Sequence, residues 1–296
     1  MKTREDKIYS FFGHLIMTIL TLLAIIPILL MFISSLTDNA TLLQNGYSFL
    51  PEKWSTYAYE WVFTSSSSMV IKAYGMSFIL TATGVVCSLA LTTCLAYGLS
   101  KKGLPGRNVL TFLVFFTMLF NGGLVPTYMM YTQIFHIKNT IWALIIPSLL
   151  MNAFYIIMMR SFFVSNIPDS LIEAARIDGA GEFRILFRIV LPLSKPMLAT
   201  LALMVGLGYW NDWMNSLYYI TDDSLYTLQA ILNNIITSIT FLQSSTMGSV
   251  ASAVAAMPST GIRMAIAVVG VIPVLVIYPF FQKYFVKGIV VGGVKG

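Results

Sequence analysis

The chain has 296 residues, of which 57% are hydrophobic and only 10% charged, with a mean hydropathy of +0.79 and a net charge of +6. Soluble domains carry about 25% charged residues, so a water-soluble core is excluded and one integral-membrane helical domain over residues 1–296 is expected. The two cysteines, Cys87 and Cys94, sit in one apolar run and are too few for a disulfide framework or a metal cluster; they are expected to be small packing residues.

A helix needs roughly 20 apolar residues to cross a bilayer, and six runs qualify: about 11–33, 74–98, 109–132, 139–159, 196–219 and 264–286. The first follows Met1-Lys2-Thr3-Arg4, which looks like a signal-peptide start. Its apolar run is too long for one, and Ser34-Ser35-Leu36 offers no cleavage pattern, so a retained anchor kinked near Pro27 is expected. His14, alone near its inner end, is read as structural. Residues 34–73 carry Trp54, Tyr57, Tyr59, Trp61 and Phe63, a cluster suited to the membrane–water interface or, alternatively, to contact with an outside partner. In the third run Asn121-Gly122-Gly123 followed by Pro126 predicts an irregular turn, tolerated where the backbone packs on protein or lines a cavity.

Between the fourth and fifth runs lies a polar island with nine charged residues from Arg160 to Lys195. Asn166-Ile167-Pro168-Asp169-Ser170 is a helix-start cluster. Leu171, Ile172 and Ala175 are expected on one face of that helix, with Glu173 and Arg176 on the other. Gly179 and Gly181 permit a turn. A second helix from about Glu182 to Val190 would present Phe183, Leu186, Phe187 and Val190 before Pro192 stops it. The pattern is a compact helix–turn–helix lying under the membrane, either a rigid lever or an ordinary interfacial amphipathic helix.

The fifth run contains Asp212, the only acidic residue in the six. An ionisable group there costs on the order of 2.5–3.5 kcal/mol on insertion scales, which points to function. Gly208, Asp212, Asn215 and Tyr219 fall on one face of a continuous helix. Trp210, Asn211, Asp212 and Asn215 are therefore candidates for a cargo path: carboxylates and amides hold hydroxyl-rich sugars, and aromatic rings stack on their apolar faces. A satisfied polar cluster near the outer boundary is the alternative. In residues 220–263, Leu228, Ile231, Leu232, Ile235, Ile236 and Ile239 recur at helical spacing. The small polar stretch after them, around Ser244–Ser249, is either a linker or a probe of an outside partner.

Placing the N-terminus in the cytoplasm puts fourteen Lys and Arg inside and four (Lys53, Lys72, Lys138 and Arg263) outside. That bias sets the orientation, returns the C-terminus to the cytoplasm and accounts for the positive charge without nucleic acid. His14 and His136, the only histidines, fall on opposite sides, so no catalytic set is seen within the membrane. An ion-driven secondary transporter would need several intramembrane ionisable residues and internal repeats, which the sequence lacks.

Glu173-Ala174-Ala175, three residues, Gly179, nine residues, Ile189, one residue, Leu191-Pro192 resembles the EAA signature of ABC importer permeases at every defined position. The closing Gly292-Gly293-Val294-Lys295-Gly296 is similar to the C-terminus of the maltose-type inner-membrane component. The fit is best to the carbohydrate-uptake branch, especially permeases that accompany oligosaccharide or uronide-containing glycan utilisation. The resemblance implies an all-α type I importer permease in the bacterial cytoplasmic membrane. It has six spans and cytoplasmic termini, and is a transport subunit with no cofactor or metal of its own. ATP and magnesium would sit on a separate dimer of ABC ATPase subunits; the sequence has no Gly-x4-Gly-Lys-Ser/Thr loop. A second homologous permease, giving a heterodimer, and an extracytoplasmic solute-binding protein would complete the system. The ATPase-coupling residues would be Glu173, Ala174, Ala175, Asp178, Gly179, Ile189, Leu191, Pro192, Lys295 and Gly296. The same role for a non-sugar solute is the nearest alternative.

Overall fold

The computed structural model describes residues 4–65, 67–147, 149–244 and 260–293. In chain order the helices are α1 (Arg4–Ser35), α2 (Asn39–Asn45), α3 (Tyr57–Glu60), α4 (Ser67–Ser100), α5 (Arg107–Leu119), α6 (Leu124–Met129) and α7 (Ile141–Ile145). They continue with α8 (Ala153–Asn166), α9 (Asp169–Ile177), α10 (Glu182–Ile185), α11 (Leu191–Leu193), α12 (Lys195–Trp210), α13 (Met214–Tyr219), α14 (Leu228–Ser244) and α15 (Thr260–Gly293). Single π-helical turns extend α3, α6 and α10. The one extended pairing among the described residues is a bridge between Thr37 and Trp54.

Three helices are long and apolar enough to cross a bilayer: Tyr9–Ser35, Met69–Ser100 and Thr260–Gln282. Among the described residues two bent pairs pass the same test only when each is taken as one span. They are Arg107–Leu119 with Leu124–Ile134, bent by 116°, and Glu182–Leu193 with Lys195–Trp210, bent by 82°, where the apolar part beyond the polar island is Lys195–Trp210. The turn expected at Asn121-Gly122-Gly123 is present: Gly123 has φ +86°, and its N–H is held by the Asn121 side chain at 2.9 Å. The continuous fourth run is not. It divides into α7 and the 14-residue α8, which at 1.5 Å per residue is too short to cross alone. Pro147 has no N–H to continue the ladder, and Asn152 restarts it by accepting from the Phe154 N–H at 2.9 Å.

The chain divides into two compact units. The first comprises Met1–Ile71 and Leu232–Ile272. None of the 18 residues in the most apolar stretch of α1 is buried, whereas Ser34 and Ser35 at its end are. At its end the Ser35 and Tyr59 hydroxyls are 2.7 Å apart, and the Ser55 N–H donates to Leu36 O at 2.8 Å. Trp54, Tyr57 and Phe63 remain exposed, as an interfacial cluster requires.

The second unit, Lys72–Ile231 with Pro273–Gly296, holds two buried clusters. One joins Leu80 of α4, Leu144 of α7, Val205 and Tyr209 of α12, and Tyr219 of α13. The other joins Tyr97 and Leu99 of α4, Met159 and Phe163 of α8, and Ile185, Leu186 and Val190 of the polar island. The driving forces differ between them. Lipid is as apolar as leucine, so packing and hydrogen bonds hold the first. Residues of the island would otherwise face water, where burying an Ile or Leu gains about 1.5–3 kcal/mol. Cys87 is half-buried and Cys94 exposed, so Cys94 is not the buried packing residue expected.

Candidate functional site

The polar island forms two arms. Pro168 precedes α9 in extended conformation, and Asp169 opens the helix where a carboxylate suits the dipole. Lys102 holds that carboxylate at 2.6 Å, which lowers the Asp169 pKa and raises that of Lys102. The C-terminus of α9 closes as a Schellman motif: the Ala180 N–H reaches Ala175 O at 2.9 Å and the Gly179 N–H reaches Arg176 O at 3.0 Å. Gly179 sits at φ +77°, as this motif requires. Gly181 has φ −70°, so its expected role in the turn needs no glycine.

One carboxylate gathers the rest. Tyr97 donates to Glu182 Oε2 at 2.7 Å, and Lys101 Nζ lies 3.1 Å from the same oxygen. Arg176 donates to Oε1 from Nε at 3.0 Å and from Nη2 at 2.7 Å. The Tyr97 hydroxyl, then Arg176 and Lys101, pull the Glu182 pKa down to about 2 against the opposing effect of partial burial. Arg176 is raised in turn by Glu182. Neither Glu182 nor Tyr97 stands out in the sequence; a tyrosine at the end of an apolar run and a charge in a charged loop carry no spacing signal. They border a cleft of about 460 Å³ that also takes in Lys101, Asp169, Glu173 and Arg176.

The faces of the island differ from expectation. Ala175, Ile185, Leu186 and Val190 are buried, and Ile172, Ile189 and Leu191 pack partly against them. Leu171 is exposed rather than packed beside Ala175, and Phe183 and Phe187 point away from Leu186 and Val190. Glu173, Ala174, Asp178 and Gly179 are exposed, as is Pro192. Ile177 at 87% and Phe183 at 78% are the most exposed apolar residues of the island. Pro192 does not stop the second arm: it occupies the first positions of α11, and the chain bends only around Ser194. Lys295, Gly296 and the 245–249 segment lie outside the described residues.

The cargo candidates fall at a helix break. The expected single face through Gly208, Asp212, Asn215 and Tyr219 does not exist, because α12 ends at Trp210 and α13 begins at Met214. Asp212 Oδ1 accepts from the N–H groups of Met214 at 3.2 Å and Asn215 at 3.4 Å, starting the new helix. Its Oδ2 is enclosed with no hydrogen-bond partner among the described residues. The buried Asn215 donates to Pro147 O at 3.1 Å, and Tyr209 donates to Ile145 O at 2.9 Å, so the two broken segments brace each other. Asn211 bonds back to Leu207 O at 3.0 Å, and the buried Trp210 meets the Tyr74 ring edge-on at 5.7 Å. A separate groove of about 370 Å³, lined by Val85, Val86, Gly206, Leu207, Pro273 and Ile277, is apolar and offers little to a hydroxyl-rich cargo.

The comparisons with known proteins agree over the whole chain. Residues 7–291 match the family described as "Binding-protein-dependent transport system inner membrane component". The chain is 38% identical to the polygalacturonan/rhamnogalacturonan transport system permease protein YtcP of Bacillus subtilis, covering 96% of each. It is 36% identical to Protein LplC of the same organism, over 99% of this chain and 97% of the other. The crystal structure of a bacterial ABC transporter involved in import of the acidic polysaccharide alginate superposes with a TM-score of 0.80 at 32% identity, covering 96% of this chain and 99% of that one. A family of this kind supplies the membrane passage, leaving ATP hydrolysis and solute capture to other subunits. With the helical architecture and the capped polar island, these matches establish that the chain belongs to the inner-membrane permeases of binding-protein-dependent ABC transporters, a transport subunit rather than an enzyme.

Proposed function

We propose that this chain is one of two homologous permease subunits, forming a heterodimer, of an importer for a uronide-containing oligosaccharide. It crosses the membrane six times, with α7 and α8 together supplying the fourth crossing and both termini in the cytoplasm, and its polar island docks on a dimer of ATPase subunits that bind ATP and magnesium. The fourteen-to-four charge bias supports this orientation. The most apolar residues of α1, none of them buried, offer a surface to a second permease or to lipid. The uronide cargo rests on the relatives, one named for polygalacturonan and one described for alginate.

The observation that carries the coupling role is the exposed rim of Glu173, Ala174, Ile177, Asp178 and Phe183 on a loop whose other side is buried. An apolar tip edged with charge suits a groove on a second protein. At the other end of α12, Asp212, with its chain neighbours Trp210, Asn211 and Asn215, is the candidate for cargo contact. Its enclosed Oδ2 has no hydrogen-bond partner among the described residues and would meet a sugar hydroxyl on rearrangement of the helix break. Neutral hydroxyls suit that oxygen, and the uronide carboxylates would be read elsewhere.

The test is uptake into vesicles carrying the complete transporter and its binding protein. Labelled oligogalacturonide should accumulate with ATP, and a neutral arabino-oligosaccharide of equal length should not. Accumulation of the neutral sugar alone would overturn the uronide assignment.

A further inference from the structure

The two arms of the polar island meet at a turn, Asp178 to Gly181, that would make a soft joint on its own. Force applied to α9 would then be absorbed in the turn. Glu182, the first residue beyond it, closes the joint: Arg176 on the α9 side grips Oε1 with two nitrogens. The other oxygen, Oε2, is held by groups from a third element, Tyr97 at the end of α4 and Lys101 just beyond it. Tyr97 is itself fixed, with Phe163 edge-on at 6.3 Å and the Lys101 ammonium 4.1 Å from its ring centre. Nearby, Arg160 of α8 donates from Nε to Leu99 O at 3.0 Å, joining α8 to the same end of α4.

Stability alone is a weak reason for this arrangement. The Glu182 and Arg176 side chains are 51% and 49% exposed, and ion pairs so exposed contribute little to folding. The adjacent buried cluster of Ile185, Leu186 and Val190 already holds the second arm in place. What the carboxylate adds is direction. It joins α9, α10 and α4 at one point and removes the freedom of the turn.

We infer that Tyr97, Glu182 and Arg176 form a clamp that makes the two arms a single rigid lever and passes its displacement to α4, so that Glu182 and Tyr97 are positioning residues for the coupling of ATP hydrolysis to transport. This rests on the reading that the island docks on the ATPase. The clamp lies behind the docking rim, so its loss leaves docking intact and weakens transmission.

The experiment uses the complete transporter in proteoliposomes with the variants Tyr97→Phe, Glu182→Gln and the double variant. The ATPase should co-purify at the wild-type ratio. Cargo taken up per ATP hydrolysed should fall roughly two- to thirtyfold, the range for residues along a coupling route. The double variant should be no worse than Glu182→Gln, since both remove one link. Unchanged uptake per ATP in both single variants overturns the clamp. Loss of co-purification in Tyr97→Phe, which keeps the ring and its packing, also overturns it by placing the residue in the docking surface. Failure of the docking reading looks different: Glu173→Lys and Ile177→Asp would both leave co-purification intact.

Discussion

The hydroxyl of Tyr97 lies 2.7 Å from Oε2 of Glu182, although 85 positions separate them in the chain. That bond ties the end of a long apolar helix to the start of the second arm of the polar island. Beside it the buried cluster of Ile185, Leu186 and Val190 packs the same arm together with residues of α4 and α8.

Gly179 should tolerate replacement in the order Asn, Ala, Val. A Cβ at this position would have nothing within 4 Å, so the penalty is backbone strain alone at φ +77°. A non-glycine residue in the left-handed region costs roughly 1–2 kcal/mol, less for Asn. ATPase co-purification measured across the three variants should fall in that order; equal retention would show that the Schellman turn does not set the shape of the docking rim.

Two glycines facing the same helix pair should respond in opposite ways. A Cβ on Gly84 would sit 2.5 Å from the ring of Tyr209, which is 1% exposed and bonded through its hydroxyl to Ile145 O. Gly84→Ala should therefore destabilise the subunit by about 1–3 kcal/mol, the usual cost of overpacking. Gly206→Ala meets only Val85 at 3.5 Å and Thr81 at 3.9 Å, ordinary contacts, and should be neutral or better. Thermal unfolding in detergent separates the two.

At Asp212 the capping and cargo roles can be resolved by chemistry. Asparagine caps a helix as well as aspartate, whereas alanine loses about 1 kcal/mol. Asp212→Asn keeps an oxygen for the Met214 and Asn215 N–H groups and replaces the unpartnered Oδ2 with a donor. Normal assembly with impaired uptake is expected; wild-type uptake kinetics would leave the residue as a cap only.

The clamp should persist well into acid. Glu182 has an ordinary value of 4.5 and is held at about 2 in the fold by Tyr97, Arg176 and Lys101. A depressed folded-state pKa contributes stability that is present above the unfolded value and lost as pH falls through the folded one. The difference in Tm between wild type and Glu182→Gln, small because the pair is half-exposed, should thus be constant from neutral pH to about 4.5 and shrink between 4.5 and 2. A difference that vanishes by pH 6 would mean that the carboxylate is not held this way.

The sequence was a good guide where structure is set locally. The apolar runs predict helices, Asn121-Gly122-Gly123 predicts the break before α6, and Gly179 predicts a turn. It was a poor guide where distant groups decide. The run 196–219 is apolar on both sides of Asn211-Asp212, and that helix-starting pair is the one local sign of a break at 211–213, which the reading of one continuous face overlooks. The break is braced by Asn215 and Tyr209 bonding to carbonyls near Pro147, roughly sixty-five positions away in the chain. Likewise, Leu171 and Phe183 have the spacing of core residues, but α4 and α8 cover only the side of the island that holds Ala175 and Leu186.

The central claim is that the α9 rim is where the power enters. Ile177 is 87% exposed at that rim and is the place to measure it. With Cys87 and Cys94 replaced by serine, Ile177→Cys in the assembled transporter should cross-link to the ATPase through a short thiol reagent, and the yield should change when ATP is bound. Absence of a cross-link from Ile177→Cys, with efficient cross-linking from cysteines placed in the 34–56 segment instead, would contradict the account.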